Sequence, residues 1–145
     1  MKSVLAGALA IGAAMLVAPN VVDAQQRGFA GLLTGVQKLE PLTLGAGKPL
    51  AEKPYELESG KYYRLKIIAD GTAELAIHGP EFFRNVWVNE IVINDIEVRP
   101  LGVDSLEFDA AGEAEISFVT IRPGTFILRI PGTTGESQQA IFNVK

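Results

Sequence analysis

The chain has 145 residues, 48% of them hydrophobic and 21% charged, figures that suit one globular domain. Thirteen Lys and Arg against 17 Asp and Glu give a formal charge of −4 with no basic or acidic block, which disfavours nucleic acid and anionic lipid as partners. Cysteine is absent, so a disulfide framework, a cysteine-linked lipid anchor, thiol catalysis and any thiolate-ligated metal are excluded.

Residues 1–24 have the pattern of a cleaved export signal. Lys2 supplies the positive start, Val4 to Val17 an apolar run, and Val22-Asp23-Ala24 the small or tolerated residues that a signal peptidase reads. The run falls short of the roughly 20 residues that span a bilayer, so a retained anchor is disfavoured. The expected processed chain begins at Gln25, and losing Lys2 together with Asp23 leaves its charge at −4. Residues 25–39, with Gly28, Gly31 and Gly35, read as an irregular lead-in or a loose helical turn. The domain proper is expected over residues 40–145.

Within that domain Pro41 to Ala46 is a short candidate strand, Gly45 to Lys53 is turn-rich, and Pro54 to Glu58 is a possible second strand ending at Ser59-Gly60. Lys61 to Ala69 alternates, with Tyr63, Leu65, Ile67 and Ala69 on one face. Asp70-Gly71 then predicts a hairpin to Thr72 to Ile77, which Gly79-Pro80 breaks. From Glu81 to Asn94 two readings compete. One is a loop followed by a strand from Val88 or Glu90 to Val98, kinked at Asn94-Asp95; the other puts Phe82, Val86 and Trp87 on one short helical turn. The loop and strand are favoured, with Arg99-Pro100 ending the strand and Ser105 to Phe108 forming another.

Residues 111–144 are the most legible. Glu113 to Ile121 alternates with Ala114, Ile116, Phe118 and Thr120 on one face, Arg122-Pro123-Gly124 turns, and Thr125 to Ile130 is a second strand halted by Pro131-Gly132. A polar loop, Thr133 to Ser137, leads to a closing strand over Gln139 to Val144. About seven to eight short strands without a long amphipathic helix indicate an all-β antiparallel sandwich or barrel.

Arg-Pro-Gly-Thr-Phe at 122–126, the strand after it, a glycine-containing loop and a final Ile-Phe-Asn-Val strand at 141–144 resemble the C-terminal half of cupredoxin-like domains. Gly79-Pro80-Glu81-Phe82 with Ala111 to Ile116 is similar to the subgroup found in periplasmic iron-uptake components, where Glu-Phe replaces the usual His-Phe at the first ligand position. The resemblance spans roughly residues 42–144 and implies a cupredoxin-like antiparallel Greek-key β-sandwich. It also implies a type 1 copper centre, with a thiolate, a histidine and an axial methionine on the loop after the Pro-Gly-Thr-Phe strand. Here that loop is Pro131 to Gln138, with none of them, and the only methionines are Met1 and Met15. The expectation is therefore a sandwich lacking the type 1 copper ligands.

Other polar groups offer less. His78, the single histidine, stands at a strand end and with Glu81 could provide two ligands for weakly held copper or iron; a histidine so placed is more often solvent-facing or hydrogen-bonded. Glu90, Asp95, Glu97, Asp104, Glu107 and Asp109 crowd the middle of the chain without calcium-loop spacing, and on alternating strands such carboxylates mostly face solvent. Phe82, Phe83 and Trp87 could form an exposed aromatic partner-binding patch or pack into the core. Arg99, Arg122 and Arg129 could gather into an anion site. No set of nucleophile, base and orienting group is found, so no enzyme is expected. The expected role is an exported periplasmic or secreted accessory or binding protein that meets a periplasmic or membrane-bound protein and keeps no membrane span after processing. A weak copper or iron carrier using His78 and Glu81 is the alternative.

Overall fold

The computed structural model describes residues 35–145. The export segment and the lead-in up to residue 34 lie outside the described residues. Eleven strands, one short helix and one 3-10 turn make up the described part, and the strands form two sheets that enclose one core.

In chain order the strands are β1 (Gln37–Lys38), β2 (Leu42–Leu44), β3 (Tyr55–Leu57), β4 (Tyr62–Ala69) and β5 (Leu75–His78). Helix α1 (Pro80–Arg84) intervenes before β6 (Val86–Ile93), β7 (Ile96–Val98) and β8 (Ser105–Phe108), and β9 (Gly112–Thr120), β10 (Gly124–Arg129) and β11 (Gln139–Val144) complete the chain. Sheet A runs β1-β4-β9-β6-β7, with β2 also on β4; sheet B runs β3-β11-β10-β5-β8.

The alternating pattern of β4 becomes its burial pattern. Tyr63, Leu65, Ile67 and Ala69 point into the core, where Ala114, Ile116 and Phe118 of β9 meet them, and Ala140, Phe142 and Val144 of β11 belong to the same cluster. Thr120 is buried as expected, its hydroxyl donating to the Glu58 carbonyl at 2.6 Å. The all-β sandwich is as the sequence indicates, but the sheets are mixed. β1 and β2 lie parallel to β4, and β3 lies parallel to β11. Strands of two or three residues take their partner from position in the fold, so their direction left no local pattern. The expected lead-in also reaches into the fold, since Gln37 and Lys38 pair with Tyr63 and Arg64 and the Leu39 N–H donates to the Arg64 carbonyl at 2.9 Å.

Two local readings are corrected. Asp70-Gly71 makes no hairpin, because β4 belongs to sheet A and β5 to sheet B. The dipeptide forms a corner between the sheets. Gly71 has φ +75°, and a Cβ there would come within 2.8 Å of the Ala111 backbone nitrogen, so glycine is required by both conformation and space. The true hairpin turn is Asn94-Asp95, read as a kink. Both residues have positive φ, 47° and 65°, and they join β6 to β7 with Ile93 opposite Ile96.

Asp70 fastens the corner electrostatically. One carboxylate oxygen accepts from the Thr72 N–H at 2.9 Å and from its hydroxyl, while Lys48 Nζ lies 2.8 Å from the other. Lys48, then the Thr72 hydroxyl and N–H, hold the Asp70 carboxyl well below the usual carboxylate range. Because the folded pKa is depressed, the stabilisation is complete above the ordinary carboxyl value of about 4 and is lost as pH falls from there toward the folded value. Thermal melts from neutral to acid pH should show wild type losing its advantage over Asp70→Asn below about pH 4. Parallel curves across the whole range would refute that linkage.

Candidate functional site

Neither reading of the stretch from Glu81 holds as stated: Phe82 lies on a short helix where a loop was favoured, but Val86 and Trp87 already belong to β6, which starts before the expected Val88 or Glu90. Pro80 sits at the first helical position, where its missing N–H costs nothing, and α1 ends at Arg84 with Asn85 as its C-terminal cap. The helix closes one end of the sandwich. Phe82 is fully buried and packs against Phe118 of sheet A and Phe142 of sheet B, with ring centroids 5.3 and 4.5 Å apart. Phe83 is also buried, edge-on to Phe82 at 5.4 Å. These two residues are core, which corrects their assignment to an exposed partner-binding patch. Their rings fill the gap between the sheets, and burial of that area outweighs any gain from display.

Trp87, the third member of that patch, is 46% exposed. On the outer face of sheet A it lies in register with Val119, which in turn faces Tyr62, and both neighbours are buried beneath this cover. Ile121, two residues beyond Val119, is 53% exposed, and its N–H donates to the Asn85 carbonyl at 3.0 Å beside the start of β6. An apolar surface of Trp87 and Ile121 therefore caps one end of the sheet, with Asn89 donating to the Tyr62 hydroxyl at 3.3 Å on its polar side.

His78 and Glu81 are both exposed and line one shallow groove of about 340 Å³ together with Gly79, Pro80, Thr125 and Arg129. Gly79 holds this groove close to β10, because a Cβ there would meet the Ile127 carbonyl oxygen at 2.6 Å. Arg129 is the cross-strand partner of His78. Arg129 also lines the groove, so a fixed positive charge borders the space that His78 and Glu81 share.

Arg129 has a second effect that the sequence did not reveal. From β10 it donates to the carbonyls of Thr133 and Gly135 at 3.3 and 3.2 Å and to the Gln139 side chain, so it pins the loop between β10 and β11 from within. The Ser137 carbonyl accepts from the Leu50 N–H at 2.8 Å and ties the loop to the chain before β3. Of the three arginines, Arg122 is exposed in the turn before β10, and the other two are engaged on different sheets. Arg99 is held 3.2 Å from Glu90 and 3.3 Å from Glu97 at the edge of sheet A, while Arg129 serves sheet B.

The carboxylates also separate. Glu107 and Asp109 come together with Glu74, which sequence reading missed, their oxygens within 4.8 Å of one another, and all three are exposed. Antiparallel pairing of β5 with β8 brings the three together, as exposed carboxylates at the edge of sheet B. A further groove of about 410 Å³ lies between the edge strands β2 and β3, lined by Glu40, Pro41, Thr43, Glu52, Lys53 and Tyr55. The Tyr55 hydroxyl donates to the Glu40 carbonyl at 2.9 Å, and burial, then the Glu40 charge, push its pKa up to about 12.

Against solved structures, the described architecture matches a multi-copper oxidase from Pseudomonas parafulva with a TM-score of 0.56 and 18% identity, covering 77% of this chain and 31% of that one. A copper nitrite reductase from Nitrosomonas europaea matches with a TM-score of 0.52 and 13% identity over 66% and 33%. A multicopper oxidase from Aquifex aeolicus matches with a TM-score of 0.51 and 15% identity over 77% and 30%. The fold is cupredoxin-like. No protein-family model and no curated protein sequence matches the chain. The chain spans about a third of the length of these cupredoxin-like neighbours, so the likeness concerns one domain's fold.

A type 1 copper centre takes two imidazoles and a thiolate. This cupredoxin-like chain has one histidine and no cysteine. The donor set does not fit the group, and Arg129 occupies the loop where the resemblance places three of the ligands.

Proposed function

We propose that this chain is an exported cupredoxin-like domain without a blue-copper centre that acts as a non-catalytic accessory or binding module through protein contacts. The exposed Trp87 beside Ile121 carries the reading. Leaving an indole half in water on a sheet whose neighbouring positions are buried forfeits apolar burial, and tryptophan is over-represented among the residues that dominate protein interfaces. The segment from Lys2 to Ala24 supports export. Among the described residues no helix is long and apolar enough to cross a membrane. The partner is then a periplasmic or membrane-bound protein, and the acidic balance disfavours nucleic acid.

The shared groove of His78 and Glu81 favours a second reading, a weak copper or iron carrier. Two measurements separate the readings. A photo-crosslinking residue in place of Trp87, expressed in the native compartment, should give one reproducible protein adduct that the same residue at Glu113 does not. Equal labelling at the two positions, or none, would reject the contact reading. Calorimetric titration with Cu(II), Cu(I) and Fe(III) should be silent; saturable micromolar binding weakened by both His78→Ala and Glu81→Ala would install the carrier instead.

A further inference from the structure

We propose that the free edge of β7 is a self-association surface, on which a second copy of the chain lays its own β7 antiparallel across a two-fold axis at Val98. β7 ends sheet A and has no neighbour beyond β6 among the described residues. Its apolar side is uncovered: Ile96 is 65% and Val98 42% exposed, with Ile93 and Leu101 also exposed. The register sets Ile96 beside Ile93 and Val98 beside the buried Ile91, so the core-facing stripe of β6 runs on into water along β7. This is the face opposite to the one that displays Trp87, so the proposal does not depend on that patch.

Turn geometry decides which peptide groups are free. Asn94-Asp95 is a two-residue loop with both φ positive, and in such hairpins the flanking pair, here Ile93 and Ile96, exchanges backbone hydrogen bonds. Along a strand the direction of these groups alternates, so the peptide groups of Ile96 and Val98 turn toward β6 and those of Glu97 turn to the open edge. The next outward position is Arg99, held extended by the proline that follows it. Pro100, which has no N–H to offer, falls where none is required.

Charge then selects both the occupant and its register. A two-fold pairing centred on Glu97 would set that carboxylate against its own copy, and like charges directly opposite are destabilising. Centred on Val98, the pairing sets Glu97 opposite Arg99 of the second copy, and the symmetry repeats the pair. The guanidinium already lies along this strip, 3.3 Å from Glu97 and 3.2 Å from Glu90. Edge strands of solitary domains are usually blunted by charge, proline or a bulge. On β7 the charges alternate in self-complementary order, and the exposed Ile96 and Val98 of the two copies shield one another.

Sedimentation of the processed protein from micromolar to millimolar concentration should show a monomer–dimer equilibrium. Glu97→Arg and Arg99→Glu should each weaken it tenfold or more, since each places like charges opposite. The double exchange Glu97→Arg with Arg99→Glu should restore it, and circular dichroism should show all three variants folded. A monomer at every concentration would overturn the proposal and leave the edge to a strand of another protein. A dimer indifferent to the single changes, or one that the double exchange fails to restore, would place association elsewhere on the molecule and would equally overturn it.

Discussion

Replacing Phe82 with alanine is expected to destabilise the domain by about 3–5 kcal/mol, the range for deleting a buried phenyl ring from a packed core. That is a third or more of the total stability of many domains this size. Phe82 is the side chain through which α1 touches both sheets, with Phe118 on one side and Phe142 on the other, and Phe142 in turn stacks on Tyr55 with centroids 4.7 Å apart. Removing the ring leaves a hole that neither sheet can collapse into without breaking its own pairing. Urea unfolding monitored by circular dichroism is the measurement, with Phe82→Leu as the milder comparison. A loss for Phe82→Ala below about 1 kcal/mol would mean that the helix is not part of the cooperative core.

The second large effect is expected at Gly79, where alanine should cost about 1–3 kcal/mol through overpacking. Conformation is not the reason, since φ at −171° is ordinary extended backbone. Space is the reason: a methyl group would stand 2.6 Å from the Ile127 carbonyl oxygen and 2.5 Å from Leu128 Cδ2. The carbonyl belongs to β10 and cannot yield without moving the strand. Gly102 and Gly112 serve as controls, because a Cβ at either meets nothing within 4 Å and neither has positive φ. Gly79→Ala should lower the denaturant midpoint while Gly102→Ala and Gly112→Ala leave it nearly unchanged. Equal effects at the three positions would show that helix entry is not sterically fixed.

Strands long enough to display a period were legible in the sequence. β4 and β9 show their buried faces in alternate residues, and β10 and β11 are framed by Pro123-Gly124 and Pro131-Gly132. What escaped were decisions taken between distant segments. Asp70-Gly71 has the chemistry of a hairpin, yet Gly71 turns against Ala111 and sends the chain to the other sheet, a contact no local window contains. Asn94-Asp95 has the residues of a primed turn, but the dense apolar run around it hid the hairpin. Phe82 and Phe83 were ambiguous because adjacent aromatics suit a displayed patch as well as a plug. Only the positions of Phe118 and Phe142 decide between the two. At the candidate site the missing copper ligands were visible as composition, whereas the loop-pinning role of Arg129 rests on carbonyls, which carry no sequence signal.

The parallel alignment of β3 with β11 has a consequence for when this protein can fold. Among the described residues the strand partners of Tyr55, Glu56 and Leu57 are Phe142, Asn143 and Val144, and the seam is sealed by Asn143 and Lys145 reaching Glu56 at 2.7 and 2.8 Å. Until those residues emerge from the ribosome, sheet B has no edge on that side and Tyr55 has no ring to stack against. Distant pairings close slowly because the intervening loop must be ordered first. In a chain built this way that seam of sheet B closes only once residues 142–145 are available, behind the pairings between nearer segments.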